Sequence, residues 1–210
     1  MFLFLVPLLV GFLFNSASTF TGFYSRRLGA RIGRLTSILL RDGFGIPVWV
    51  FGYVLAARQA SSKMFNPVLI SSTIAWLLIL AGAVIIFTGL VSLKWRAAAP
   101  SLQDTLVAHG IYAHVRHPIY SGMVLELIGL FLWMPTYSVM LAGILGILWV
   151  MIQARLEEID LMARIPLYKD AMRQVPRFFT KAQVLVTIDR LSCNELWEWD
   201  GDIRSYLNGR

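Results

Sequence analysis

Long apolar runs, each closed by a short polar or charged stretch, organise the chain. The first covers Met1 to about Tyr24 and turns small and polar at Asn15, Ser16, Ala17 and Ser18. The second runs from about Thr36 to Ala57 and the third from Val68 to Leu93, while two more cover Pro118 to Trp133 and about Thr136 to Gln153. A helix rises about 1.5 Å per residue and a hydrocarbon core is about 30 Å thick, so runs of this length predict transmembrane helices. The pattern predicts an all-α, polytopic integral membrane protein with about five spans. Only Met134 and Pro135 separate the last two runs, which therefore form an antiparallel helical hairpin.

Two runs are irregular. The first could be a signal peptide, but no positive charge precedes its apolar core, and cleavage after the small residues would leave the following arginines on an exported N-terminus. A first span with its N-terminus outside is the preferred reading. The second contains Arg41-Asp42, Gly43, Gly45 and Pro47, and its uncharged part from Gly43 to Ala57 would cover only about 22 Å. Either Arg41 and Asp42 sit at the interface as a neutralised pair beside a kinked helix, or the segment is re-entrant.

Composition supports the membrane class. The 210 residues are 57% hydrophobic with a mean hydropathy of +0.66, too apolar for a soluble domain of this size. The net charge of +7 comes from short clusters between apolar runs, densest at Arg26, Arg27, Arg31, Arg34 and Arg41, and fits the positive-inside rule rather than nucleic-acid binding. That places Arg26 to Arg34 in a cytoplasmic loop. Lys94, Trp95 and Arg96 anchor the third span, Ala97 to His117 return on the inside, and the uncharged hairpin turn faces outward. Leu156 to Thr180 read as an amphipathic interfacial segment, and Lys181 to Arg210 as a polar tail with Trp197 and Trp199, suited to docking or to homo-oligomer contacts. The expected organisation is 1–67 for the N-terminal helices and basic loop, 68–180 for a functional core, and 181–210 for the tail. A single cysteine, Cys193, excludes an internal disulfide framework.

Chemistry concentrates in Arg116-His117-Pro118-Ile119-Tyr120-Ser121-Gly122. Pro118 fixes its own φ and pushes His117 toward extended geometry, so a helix starts here with unpaired N–H groups pointing back at Arg116 and His117. An anion or a polar cofactor group could dock there. His109, His114 and His117 match no helical face and no zinc spacing, so no metal is expected. Glu126, one turn after Gly122, is either a functional carboxyl inside a span or one held neutral or paired near the membrane surface. Glu157 and Glu158 lie about 100° apart on a helix, so one of them faces a pocket while the other pairs with Arg155 or stays solvated.

Gly110-Ile111-Tyr112, then Arg116-His117-Pro118-x-Tyr120-x-Gly122, a helical hairpin, Arg155-x-Glu157-Glu158, Tyr168 and Val175-Pro176-Arg177-Phe178 together resemble the isoprenylcysteine carboxyl methyltransferase family. The same residues are similar, more loosely, to the phospholipid N-methyltransferases. The resemblance covers about residues 68 to 180. It implies a membrane methyltransferase that uses S-adenosylmethionine on a lipophilic acceptor, with its active site on the cytoplasmic face. The implied acceptor is a carboxylate such as a prenylcysteine-type C-terminus, with a lipid amine as the alternative. The resemblance gives Arg116 and Glu157 catalytic contacts, and assigns Tyr112, His117, Pro118, Tyr120, Gly122, Glu158, Tyr168 and Arg177 to the cofactor pocket. This chain departs from the pattern at Ile165-Pro166, Ala171, Gln174 and Thr180, where the lid meets cofactor or acceptor, and that leaves the acceptor open. A sterol-reductase-like NADPH enzyme and a catalytically inactive scaffold are the rival readings.

Overall fold

A computed structural model describes residues 2–94, 107, 109–165, 168–169 and 174–179. The chain divides into two compact units, Met1–Phe178 and Phe179–Arg210. The second, beyond Phe179, lies outside the described residues, as do Trp95, Arg96, Pro166, Ala171, Thr180 and Cys193 from the sequence reading.

Every regular element among the described residues is helical, and a single isolated bridge joins Lys63 to Thr136. Helices α1 (Leu5–Ser18), α2 (Thr21–Leu28), α3 (Ala30–Ile38) and α4 (Ile46–Arg58) are followed by α5 (Leu69–Leu93), α6 (Pro118–Trp133) and α7 (Tyr137–Arg164). Against the five spans expected, three helical stretches among the described residues are long and apolar enough to cross a membrane, or four if the bent α1–α2 pair is one span. Helix α6 has the expected bounds, but its 16 residues reach only about 24 Å.

The N-terminal third differs from the expected span, loop and span. The first helix does not continue straight to Tyr24; it breaks after Ser18 and α2 leaves at 62°. Small hydroxyl residues allow this turn, with the Ser18 Oγ donating to the Asn15 carbonyl at 2.6 Å in place of a continued helical ladder. The stretch Arg26 to Arg34, expected as a loop, is helical apart from Gly29, whose φ of 84° reverses the chain between α2 and α3. The two short helices then lie against each other, with the Thr21 hydroxyl donating to the Ser37 Oγ at 3.0 Å.

The second run is one continuous helical stretch, long and apolar enough to cross a membrane. From α3 a π-helical turn at Leu39–Gly45 leads directly into α4, giving a 29-residue stretch, Ala30–Arg58, that reaches about 43 Å at α-helical rise. Arg41 and Asp42 form a two-pronged ion pair inside that turn, with N···O distances of 2.8 and 2.9 Å. Length that the apolar count alone lacked comes from α3.

Helices α5 and α6 are joined along a seam of small residues. Ala75, Gly82 and Gly89 recur every seventh position on α5, facing Gly129, Gly122 and Ile119 on α6. A Cβ on Gly122 would stand 2.6 Å from the Gly82 carbonyl oxygen, and one on Gly129 would stand 2.8 Å from the Ala75 oxygen. Backbones this close are what small residues permit between helices in lipid, where apolar burial supplies no driving force. Gly122→Ala is therefore expected to destabilise the protein by about 1–3 kcal/mol, because rigid backbone must give way. Thermal unfolding in detergent measures it, and an unchanged melting temperature would refute the seam.

The α6–α7 turn is laced to the α4–α5 connection, with the Met64 N–H donating to the Pro135 carbonyl at 2.7 Å. The Thr136 side chain accepts from the Val139 N–H at 3.3 Å and caps α7. Helix α7 then runs 11 residues past the expected end at Gln153, so Arg155, Glu157 and Glu158 sit on the hairpin helix itself rather than beyond it. Glutamate, arginine, leucine and methionine favour helix, so the apolar run stops before the helix does.

Candidate functional site

The site forms where the start of α6 meets the polar end of α7 and the segment 174–179. His117 takes φ −124° and ψ 65°, outside the α region, and Pro118 opens the helix. Two backbone bonds then tie the heptad to the later segment: the Arg116 N–H donates to Pro176 and the His117 N–H to Arg177, both at 3.0 Å. Ser121 adds a hydroxyl that donates to the carbonyls of His117 and Phe178. The Arg116–Gly122 motif is thus bonded directly to the last of the resemblance-bearing motifs, 59 residues away in the case of Arg116 and Val175.

Glu158 is the centre of this arrangement. Its side chain is completely buried and accepts from Arg116 Nη1 at 2.6 Å, from Arg177 Nη2 at 2.7 Å and Nε at 3.0 Å, and lies 3.3 Å from His117 Nε2. Arg155 Nη1 stands 3.5 Å away on the same helix. Arg116 also donates through Nε to the Val175 carbonyl at 2.9 Å. The hydrogen bonds to Glu158 hold the Arg177 guanidinium above the usual arginine range. A buried carboxylate needs such partners, since an unpaired charge would not remain ionised in a low-dielectric setting.

Glu157 points elsewhere, into a cavity of about 750 Å³. It accepts from the Tyr120 hydroxyl, and its Oε2 lies 3.8 Å from His117 Nδ1. The His117 and Tyr120 rings stack with centroids 5.6 Å apart. Tyr112 and Tyr168 line the same wall, and burial together with nearby glutamate charge pushes both phenols above the ordinary tyrosine range, so they stay protonated near neutrality.

Of the residues expected at the site, Tyr112, Arg116, His117, Tyr120, Glu157 and Tyr168 line this cavity. Glu158 and Arg177 stand behind that wall and hold it. Pro118 sets the start of α6, and Gly122 lies in the α5–α6 seam rather than in the cavity wall. Glu126 faces a second, more apolar cavity of about 390 Å³ that shares Trp49, Met123 and Trp149 with the first. Of the three histidines only His117 reaches the cavity, and among the described residues no group of three or more His, Cys, Asp or Glu could hold a metal ion.

Sequence reasoning missed the opposite wall. It comes from α1, the π-helical turn and α4, through Asn15, Thr19, Asp42 and Trp49, and is secured to α7 by a bond from the Gly22 N–H to Asp160 at 3.3 Å. Asp160 in turn accepts from Arg164 at 2.7 Å. The available signals were Asn15 and the Arg41-Asp42 pair, polar and charged side chains within apolar runs.

The cavity suits a cofactor of nucleoside size. About 750 Å³ falls within the roughly 300–1,000 Å³ of small-molecule sites, and the wall combines aromatic faces with carboxylate, phenol and guanidinium groups. Residues 70–170 match the family model described as phospholipid methyltransferase. The match thus falls on the membrane methyltransferases that sequence analysis placed as the looser of its two resemblances. No curated protein and no solved structure shows a significant match to the chain. The matched segment holds α5, α6, α7 and the site residues from Tyr112 to Tyr168, while α1 to α4 and Arg177 lie outside it.

Proposed function

We propose that this protein is an S-adenosylmethionine-dependent membrane methyltransferase acting on a lipophilic acceptor, with its site at the cytoplasmic face. One observation carries the reading: within the segment that matches the methyltransferase family, Glu157 and Tyr120 present hydrogen-bonded oxygens to a cofactor-sized cavity whose wall is fixed by the buried Glu158 cluster. The arginine-rich helices α2 and α3 lie at the same end of α7 through Gly22 and Asp160, which supports the cytoplasmic placement.

S-adenosylmethionine would supply a methyl group on a sulfonium centre, transferred in line to the acceptor with the neutral thioether as leaving group. The chain then has to align two partners and stabilise a changing charge, and no covalent nucleophile is needed. Tyr112, His117, Tyr120 and Tyr168 would hold the methyl donor, with the Glu157 carboxylate offsetting its positive charge. For the acceptor, a carboxylate would rely on Arg116, whose Nη1 and Nε are already committed to Glu158 and Val175. That commitment favours the second reading, a lipid amine, for which Glu157 is placed to receive the proton that the nitrogen must lose. The carboxylate remains the alternative.

Equilibrium binding of S-adenosylhomocysteine to the detergent-purified protein tests the reading, with NADPH as competitor. Saturable binding of the homocysteine compound, undisturbed by NADPH, is the expected result. Binding of NADPH alone would favour a reductase, and binding of neither by folded protein would favour a scaffold.

A further inference from the structure

Below the rim formed by Tyr120 and Glu157, the wall between α1 and α7 carries two buried amide side chains. Asn15 and Gln153 are only 7% and 2% exposed, both line the main cavity, and Asn15 Oδ1 and Gln153 Oε1 have no hydrogen-bond partner among the described residues. The contacts around Gln153 favour one orientation of its amide. Its Nε2 donates to Thr19 Oγ1 at 2.8 Å and toward the Asn15 carbonyl at 3.4 Å, and a flipped amide would set oxygen against that carbonyl. Two accepting oxygens therefore stand buried and unanswered, an arrangement that carries a desolvation penalty until a donor arrives.

Their position along α7 narrows the donor. Glu157, Gln153, Trp149 and Gly146 follow one another at roughly one helical turn, about 4.5–6 Å apart, on the cavity side. The wall passes from a carboxylate through a neutral amide to an indole stacked on Phe12 at 4.5 Å, and then to the apolar second cavity. A molecule lying along this path has its reacting group at Glu157 and its apolar tail beyond Trp149. Whatever lies at Gln153 is the polar part between them.

We propose that Asn15 and Gln153 form a hydrogen-bond-accepting subsite between α1 and α7 that takes an N–H or O–H group of the lipophilic acceptor. The assignment to an acceptor rests on the methyltransferase reading. Carboxylate and phosphate oxygens cannot donate to these two amide oxygens, and the unpartnered Trp49 Nε1 of the same cavity is a donor for a neighbouring oxygen, so the subsite selects lipids carrying an amine, amide or hydroxyl next to the chain. An amino group of the methyl donor has the same donating chemistry, and the test separates the two sources.

Dodecanamide and methyl dodecanoate share an apolar chain and differ in N–H donation. Their binding to the full chain in lipid nanodiscs can be followed by intrinsic tryptophan fluorescence, beside S-adenosylhomocysteine affinity. The native protein is expected to prefer the amide by about tenfold, the scale of one hydrogen bond. Asn15→Leu and Gln153→Met should each cut that preference to below about threefold with little change in S-adenosylhomocysteine affinity, while Asn15→Asp, which keeps an accepting oxygen, should retain it. Equal binding of amide and ester by the native protein, or an undiminished preference in Asn15→Leu, would overturn the subsite. Loss of S-adenosylhomocysteine affinity in Asn15→Leu with the amide preference intact would assign the pair to the methyl donor and overturn its assignment to the acceptor. An amide preference in native protein that binds no S-adenosylhomocysteine would uphold the subsite and remove the methyltransferase reading instead.

Discussion

Glu158→Ala is expected to destabilise the site by about 3–5 kcal/mol and to abolish measurable S-adenosylhomocysteine binding. The cost does not come from the ion pairs being strongly favourable in themselves. It comes from what alanine leaves behind, namely Arg116 and Arg177 guanidinium groups turned toward a completely buried position without their carboxylate. The segment 174–179 loses its side-chain anchor to α7 and keeps the backbone bonds at Arg116 and His117, the Arg116 Nε bond to the Val175 carbonyl and the Ser121 hydroxyl. Trypsin should then cleave after Arg177 faster than in native protein, since this residue is held by Glu158 through Nε and Nη2. Glu158→Gln, which keeps the shape and loses the charge, should fall between. Native cleavage rates and native cofactor affinity in Glu158→Ala would show that the cluster does not hold the cavity wall.

How far the sequence foretold this arrangement depends on what each residue's neighbours in the chain could reveal. The α6–α7 hairpin and its short turn follow from apolar run length and Pro135, which are local signals. The pairing of the heptad with the later segment was visible only through resemblance, because Arg116 and Val175 are 59 positions apart and no spacing rule connects them. The separate orientations of Glu157 and Glu158 followed from their 100° offset, but which one would be buried depended on where two distant arginines lay. Gly122, which the resemblance assigns to the cofactor pocket, is turned by helical rotation toward Gly82 on α5. The wall from α1 and α4 was least legible, since Asn15 and Trp49 sit in segments whose composition says only that they enter a membrane. A bend of 62° between α1 and α2 lies in a run where serine and threonine also tolerate straight helix.

Glu157→Gln separates the two acceptor chemistries. A glutamine keeps an oxygen for the Tyr120 hydroxyl and leaves the Glu158 cluster untouched, so the fold and the cavity wall should persist. What it removes is a negative charge and a proton acceptor. If the acceptor is an amine, the nitrogen lone pair forms the new bond to the methyl carbon, the carbon–sulfur bond breaks toward sulfur, and a proton must leave the nitrogen. Without Glu157 that proton has no adjacent carboxylate to receive it, and kcat should fall by about 10²–10⁴ while KM for the amine changes much less. A carboxylate acceptor is already ionised at neutral pH and needs no base. For it the same substitution should cost less than about tenfold, and the removal of a like charge could even tighten acceptor binding. Steady-state rates of Glu157→Gln with a lipid amine and with a prenylcysteine carboxylate decide between them. Full activity of Glu157→Gln on the amine would exclude Glu157 as its base, whereas turnover of the carboxylate alone by the native protein would make the carboxylate the acceptor, with Arg116 to position it.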